Sequence, residues 1–202
     1  VFHAISCEDN VGTSDTYRRS YDFVSMFMLN PTDGTEDCRM GFAEWVEDGV
    51  KVDWLTAPDD DYALTVILFA GGTNELETHV GTFVTPNVLN SGVVVNVGFE
   101  PDHVIGIGGG GTNIFTFNTI ANAIFSYGFC SNNNGVIKQG SINYYNQDNV
   151  ADTVVKSLVS QTYFARDNGG DSGAVELNNF NASGFTATTR VSGVGQNLGY
   201  LA

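Results

Sequence analysis

The chain has 202 residues, of which 42% are apolar, enough for one large core or two small ones. Eight basic residues against 23 acidic ones give a formal charge of −15, which argues against nucleic acid or an anionic membrane as partner, because both are gripped by clustered Lys and Arg. No stretch reaches the ~20 consecutive apolar residues of a membrane-spanning helix, and frequent Gly with rare Pro points to strands and tight turns.

Taken in chain order, Val24-Ser25-Met26-Phe27-Met28-Leu29 is short, mostly apolar and stopped by Asn30-Pro31, which predicts a buried strand closed by a turn. Residues 40–46 continue as strand to Glu47-Asp48-Gly49, where Asp-Gly signals a hairpin. Val50, Val52 and Trp54 then alternate onto one strand face, which places Trp54 in a core. Residues 62–70 form a nearly continuous apolar run, as in a strand buried on both faces. Further strands are predicted over 79–84, 93–97, 103–107, 114–117, 123–129, 136–145, 158–165, 174–179, 185–190 and 198–201. Asn134-Gly135 favours a type I′ turn, and the one stretch that could be helical is 153–160. Short strands punctuated every ~8–12 residues predict an all-β antiparallel sandwich, jelly-roll-like in plan.

One series of landmarks occurs twice. Asp9-Asn10-Val11, Asp15-Thr16-Tyr17-Arg18-Arg19-Ser20, Asp48-Gly49-Val50 and Leu68-Phe69-Ala70 come first. Asp148-Asn149-Val150, Asp152-Thr153-Val154-Val155-Lys156-Ser157, Ser183-Gly184-Phe185 and Tyr200-Leu201-Ala202 follow in the same order. The expectation is tandem β-sandwich modules, the first incomplete at its N-terminus. Residues 1–72 would be the C-terminal half of a first module, 73–77 a linker and 78–202 a complete second module.

The second series resembles a module of structural proteins of tailed phages and prophages. The landmarks are Gly98-Phe99-Glu100-Pro101-Asp102-His103-Val104-Ile105, the strand Phe125-Ser126-Tyr127-Gly128-Phe129, the glutamine-led Gln139-Gly140-Ser141-Ile142, the Asp148-Asn149 turn, Gly184-Phe185-Thr186 and Tyr200-Leu201-Ala202. The first series departs from it, with Gly49-Val50 for Gly-Phe and Leu68-Phe69-Ala70 for the closing triplet. The resemblance implies a repeated β-sandwich in a virion, on its surface or in an appendage, and carries over no catalytic residue.

Strings that invite a chemical reading have structural alternatives. Gly170-Asp171-Ser172-Gly173 looks like the nucleophile loop of chymotrypsin-like proteases, but Ala174 replaces the next glycine, and neither His79 nor His103 has the setting of a base. Gly106-Ile107-Gly108-Gly109-Gly110-Gly111 satisfies GxGxxG, yet a strand-forming run follows where a dinucleotide site needs a helix. Asp59, Asp60 and Asp61 are the residues that would donate oxygens to Ca²⁺, although adjacent carboxylates on a loop are usually just solvated. Glu44 with Glu47, or Asp53 with Asp59, would have to face across a cleft to act on a glycoside. Trp45, Trp54 and the eight tyrosines are candidates for stacking on sugar rings, although Trp54 reads as core and Tyr144, Tyr145 and Tyr163 fall to neither side. Asn181-Ala182-Ser183 matches a glycosylation sequon. Cys7, Cys38 and Cys130 lack metal-ligand spacing and read as buried thiols, with a Cys7–Cys38 bridge as the sharper alternative.

No catalytic, cofactor-binding or metal-ligating residue is therefore assigned. The expected protein is a non-enzymatic, self-associating virion component, a homo-oligomer or a partner of other virion proteins. A glycan- or receptor-binding module of a fibre or cell surface is the alternative.

Overall fold

The computed structural model describes residues 2–7, 16–21, 26–30, 33, 35–58, 76–108, 118–119, 122–147, 153–167, 170–191 and 197–202. Among them the strands in chain order are β1 (Phe2–Cys7), β2 (Thr16–Tyr21), β3 (Met26–Leu29), β4 (Glu36–Val46), β5 (Gly49–Thr56), β6 (Val80–Val84), β7 (Gly92–Asn96) and β8 (His103–Gly108). They continue with β9 (Asn118–Thr119), β10 (Asn122–Asn133), β11 (Val136–Gln147), β12 (Thr153–Leu158), β13 (Tyr163–Asp167), β14 (Gly170–Asn181), β15 (Gly184–Val191) and β16 (Asn197–Leu201). The described residues hold no helix, so the chain is all-β as expected, and each strand pairing is antiparallel.

Strands β6–β8 and β10–β16 build a two-layer sandwich. A six-stranded sheet runs β12-β11-β10-β8-β16-β6, and a four-stranded sheet runs β13-β14-β15-β7. Both layers feed one core: Val104, Cys130, Leu198 and Tyr200 from the first meet Val95, Val175, Leu177, Phe185 and Ala187 from the second. Phe185 is fully enclosed, edge-on to Tyr200 at 5.6 Å between ring centroids and to Phe83 at 6.4 Å. A polar strut crosses the layers: the Gln139 carboxamide oxygen accepts from Leu177 N–H at 3.0 Å and from Thr162 Oγ1 at 2.7 Å. These bonds satisfy groups that would otherwise be costly to bury. The β10–β11 hairpin turns at Asn134-Gly135, with φ of 50° and 83°, the left-handed pair that a type I′ turn demands.

The remaining strands form two three-stranded sheets, β1-β2-β9 and β3-β4-β5. Their register follows that of the sandwich. Met26↔Met40, Phe27↔Arg39, Met28↔Cys38 and Leu29↔Glu36 in β3–β4 match Tyr163↔Val175, Phe164↔Ala174, Ala165↔Gly173 and Arg166↔Asp171 in β13–β14, irregularity included. Met40↔Trp54, Gly41↔Asp53, Phe42↔Val52 and Val46↔Gly49 in β4–β5 match Val175↔Thr189, Glu176↔Thr188, Leu177↔Ala187 and Asn181↔Gly184 in β14–β15. The pairs Cys7↔Thr16 to Phe2↔Tyr21 likewise follow Asn146↔Thr153 to Ser141↔Leu158. Gly49 and Gly184 open the equivalent strands with φ of 159° and 151°.

Several expectations need correction. The stretch 158–165 is two strands: β12 ends at Leu158 and β13 begins at Tyr163, because the chain changes layers between them, where Thr162 N–H donates to Val175 C=O at 2.9 Å. The helical option at 153–160 fails, since β12 pairs with β11 along its whole length. β1 and β2 had no strand assigned from sequence. Trp54 is not core but 48% exposed, although it shares a strand face with half-buried Val50 and Val52. The hairpin expected at Glu47-Asp48-Gly49 is present, with Glu47-Asp48 as its turn and Gly49 as the first residue of β5. The runs 62–70 and 114–117 lie outside the described residues.

Candidate functional site

The most conspicuous surface is the outer face of the six-stranded sheet. Alternation along β10 sends Ser126, Gly128 and Cys130 into the sandwich and Phe125, Tyr127 and Phe129 out of it. Neighbouring strands extend the pattern into cross-strand rows. Val80, Leu201, Ile105 and Phe129 line up in one row, Ile107, Tyr127 and Ile142 in the next, and Phe125, Tyr144 and Val155 in a third. Val80, Tyr127, Phe129, Ile142, Tyr144 and Val155 are all exposed. Phe125 and Tyr144 are tilted against each other at 6.3 Å. A shallow basin of about 800 Å³ opens beside Tyr127, Phe129, Ile137, Ile142 and Val159. A continuous apolar face on a folded protein marks contact with a partner, whereas scattered exposed side chains do not.

A second apolar surface lies on β4 and β5, where Phe42, Trp45 and Trp54 are exposed beside half-buried Val50 and Val52. The Phe42 and Trp45 rings meet at 5.3 Å.

The sequence-derived chemical candidates do not converge. Ser172 lies inside β14, not on a loop, and its side chain is outside what is described. His79 stacks on Tyr200 at 5.7 Å, with Nδ1 3.1 Å from the phenol oxygen. Its backbone exchanges two bonds of 2.9 Å with Ala202, a pairing that ties both ends of the sandwich together. His103 is an exposed residue of β8. It borders a cleft of about 490 Å³ with Glu77, Phe99, Glu100, Pro101 and Asp102. Gly106-Ile107-Gly108 are strand residues of β8; Gly109-Gly110-Gly111 and the residues after them, to 117, lie outside the described residues.

Glu44 is engaged by Lys51 at 3.1 Å with both side chains more than half exposed, and Glu47 is exposed as well. Asp59, Asp60 and Asp61 lie outside the described residues, and among the described ones no three His, Cys, Asp or Glu side chains gather to hold a metal. Tyr145 is core, Tyr144 is exposed, and the side chain of Tyr163 is outside the description. The sequon asparagine builds a tight turn: Asn181 Oδ1 accepts from Ser183 N–H at 3.0 Å and from its hydroxyl at 2.8 Å.

Cys38 is free and buried, which overturns the Cys7–Cys38 bridge, and Cys130 is free and buried as well. Burial pushes the Cys130 thiol up to about 11, and burial followed by the charge of Asp37 raises Cys38. Neither is a thiolate nucleophile at neutral pH.

The outer-face aromatics Tyr127 and Phe129 were not singled out as a surface from sequence. The signal was present: aromatic residues alternate with Ser126, Gly128 and Cys130, which is the pattern of a strand with one aromatic face. No family model, curated protein or solved structure matches the chain.

Proposed function

We propose that this chain is a non-enzymatic, self-associating building block of a virus particle, its surface or a tail appendage, organised as tandem β-sandwich modules. The observation that carries the self-association is the apolar outer face of the six-stranded sheet, with Tyr127, Phe129, Ile142, Tyr144 and Val155 exposed in register. Burying those rows against a second copy would remove them from water at ~25 cal/mol per Å² of apolar surface. The modular reading is supported by two sheets with the same strand order and the same register. The virion assignment rests on the resemblance of the landmarks between residues 98 and 202 to phage structural modules.

The test is sedimentation and electron microscopy of the purified chain. Concentration-dependent assembly should occur, and Tyr127→Lys with Val155→Lys should leave monomers of unchanged fold. Monomers of the parent chain at all concentrations would overturn the reading. One feature favours glycan binding as the second reading: Tyr127, Phe129 and Tyr144 present aromatic side chains on one face. Glycan-array binding lost in Tyr144→Ala, without any assembly, would transfer the function to that class.

A further inference from the structure

A surface distinct from the assembly face carries a separate inference. We infer that the open face and outer edge of the β3-β4-β5 sheet dock an extended segment of another polypeptide, of the chemistry that residues 91–104 provide in this chain. That partner is an alternating apolar strand that runs antiparallel along β5 and is backed by a second layer.

Because β4–β5 and β14–β15 share the pairings of Arg39, Met40, Gly41, Phe42 and Val46 with those of Ala174, Val175, Glu176, Leu177 and Asn181, the side chains around those pairs have counterparts whose surroundings are known. Phe42 corresponds to Leu177, Val50 to Phe185 and Val52 to Ala187. All three counterparts are buried in the sandwich core, whereas Phe42 is 50% exposed and both valines are half-buried. What covers the counterparts is β7, which pairs along β15 as Gly184↔Asn96, Phe185↔Val95 and Ala187↔Val93, together with Val104 and Cys130 of the opposite layer. Among the described residues β5 has β4 on one side and no strand on the other.

The glycines add a second observation. A Cβ on Gly184 would collide with the Val95 carbonyl of β7, while a Cβ on Gly49 would meet nothing. The position that receives a partner strand in one sheet is vacant in the other. An unpaired strand edge beside an apolar face is the arrangement used in strand addition, where backbone bonds supply affinity and alternate side chains supply specificity.

The experiment uses the full chain and a synthetic peptide with the sequence of residues 91–101. Binding should shift the emission of the chain's two tryptophans, Trp45 and Trp54, to the blue and slow exchange of alternate β5 amides about tenfold. The same peptide with Asp at the positions of Val93 and Val95 should do neither, a control that does not depend on the folding of any protein variant. Val52→Asp in the chain should abolish the response while leaving amide exchange across residues 76–202 unchanged.

Unchanged emission and β5 exchange at millimolar peptide would overturn the inference. So would a concentration-dependent shift without peptide, because the face would then be occupied by a second copy. A chain that assembles through Tyr127 and Val155 yet ignores the peptide loses this inference alone. One that binds the peptide without assembling loses only the building-block reading.

Discussion

The sheets β3-β4-β5 and β13-β14-β15 have the same strand order and register but opposite fates for one face. In the second, Leu177, Phe185 and Ala187 are sealed; in the first, Phe42, Val50 and Val52 reach solvent. Register is a local property, set by hairpin turns and by the irregularities at Met28/Leu29 and Arg39/Met40, so it survives without a covering layer. Burial is supplied from elsewhere, by β7 and the six-stranded sheet. A sheet can therefore hold its geometry while much of its apolar face lacks the contact that turns geometry into stability.

The sharpest way to break that comparison is to truncate matched positions. Leu177→Ala removes a side chain that is 2% exposed and should cost ~2–5 kcal/mol by lost transfer energy and the cavity left behind. Phe42→Ala removes a larger side chain, yet should cost under ~1 kcal/mol because half of it is already in water. Urea unfolding of the two variants checks this. Equal losses would mean that the faces are equally buried in solution and that the difference is wrong.

The hairpin glycines offer the next test. Gly184→Ala sets a Cβ against the Val95 carbonyl and forces an L residue to φ 151°, so a loss of ~2–4 kcal/mol is expected. Gly49→Ala bears only the backbone term, ~1–2 kcal/mol, since the space around it is open. Thermal unfolding of both variants reads the gap, which should close if the docking peptide packs against Gly49.

These contrasts also show what the sequence made legible. Strands β5, β7, β8, β11, β15 and β16 stand within a residue or two of their expected limits, because alternation and turn residues act over a few positions. The type I′ turn at Asn134-Gly135 was readable for the same reason. Trp54 was misplaced because alternation identifies a face but not what lies against it. The 158–165 stretch was misread because a change of layer at Thr162 leaves little local mark when both flanks favour strand. That Tyr127 and Phe129 form an outer face was not legible for a related reason: aromatic residues default to the core, and only the register across β8, β10 and β11 shows that they share the outer side.

The buried thiols compare the same two regions by pH. Cys130 is held at about 11, so its neutral form is the one that folding favours. Its contribution is fully present below the unfolded thiol's ordinary value and is lost as pH rises from there through about 11, a fall of ~2–3 kcal/mol. Unfolding followed between neutral pH and pH ~11 should show that loss, and Cys130→Ala should remove most of it. The alkaline loss remaining in the variant then reports Cys38 and Tyr200, both also raised by burial.

The smallest effects belong to the charged pairs on the two sheets, and there the regions should behave alike. Glu44 and Lys51 meet at 3.1 Å with both side chains more than half exposed; Glu176 and Arg190 are in contact with about a third exposed. Arg190 also donates to Asn90 Oδ1 at 2.9 Å, which fixes the guanidinium and reduces the entropy lost in pairing. Glu176→Gln should therefore cost ~0.5–1 kcal/mol and Glu44→Gln under ~0.5 kcal/mol, the latter vanishing in 1 M salt, where the Debye length falls to ~3 Å. A Glu44→Gln loss above ~1 kcal/mol, or one indifferent to salt, would mean that this pair is shielded from solvent, and the face of β5 opposite Val50 and Val52 would then have a cover in solution.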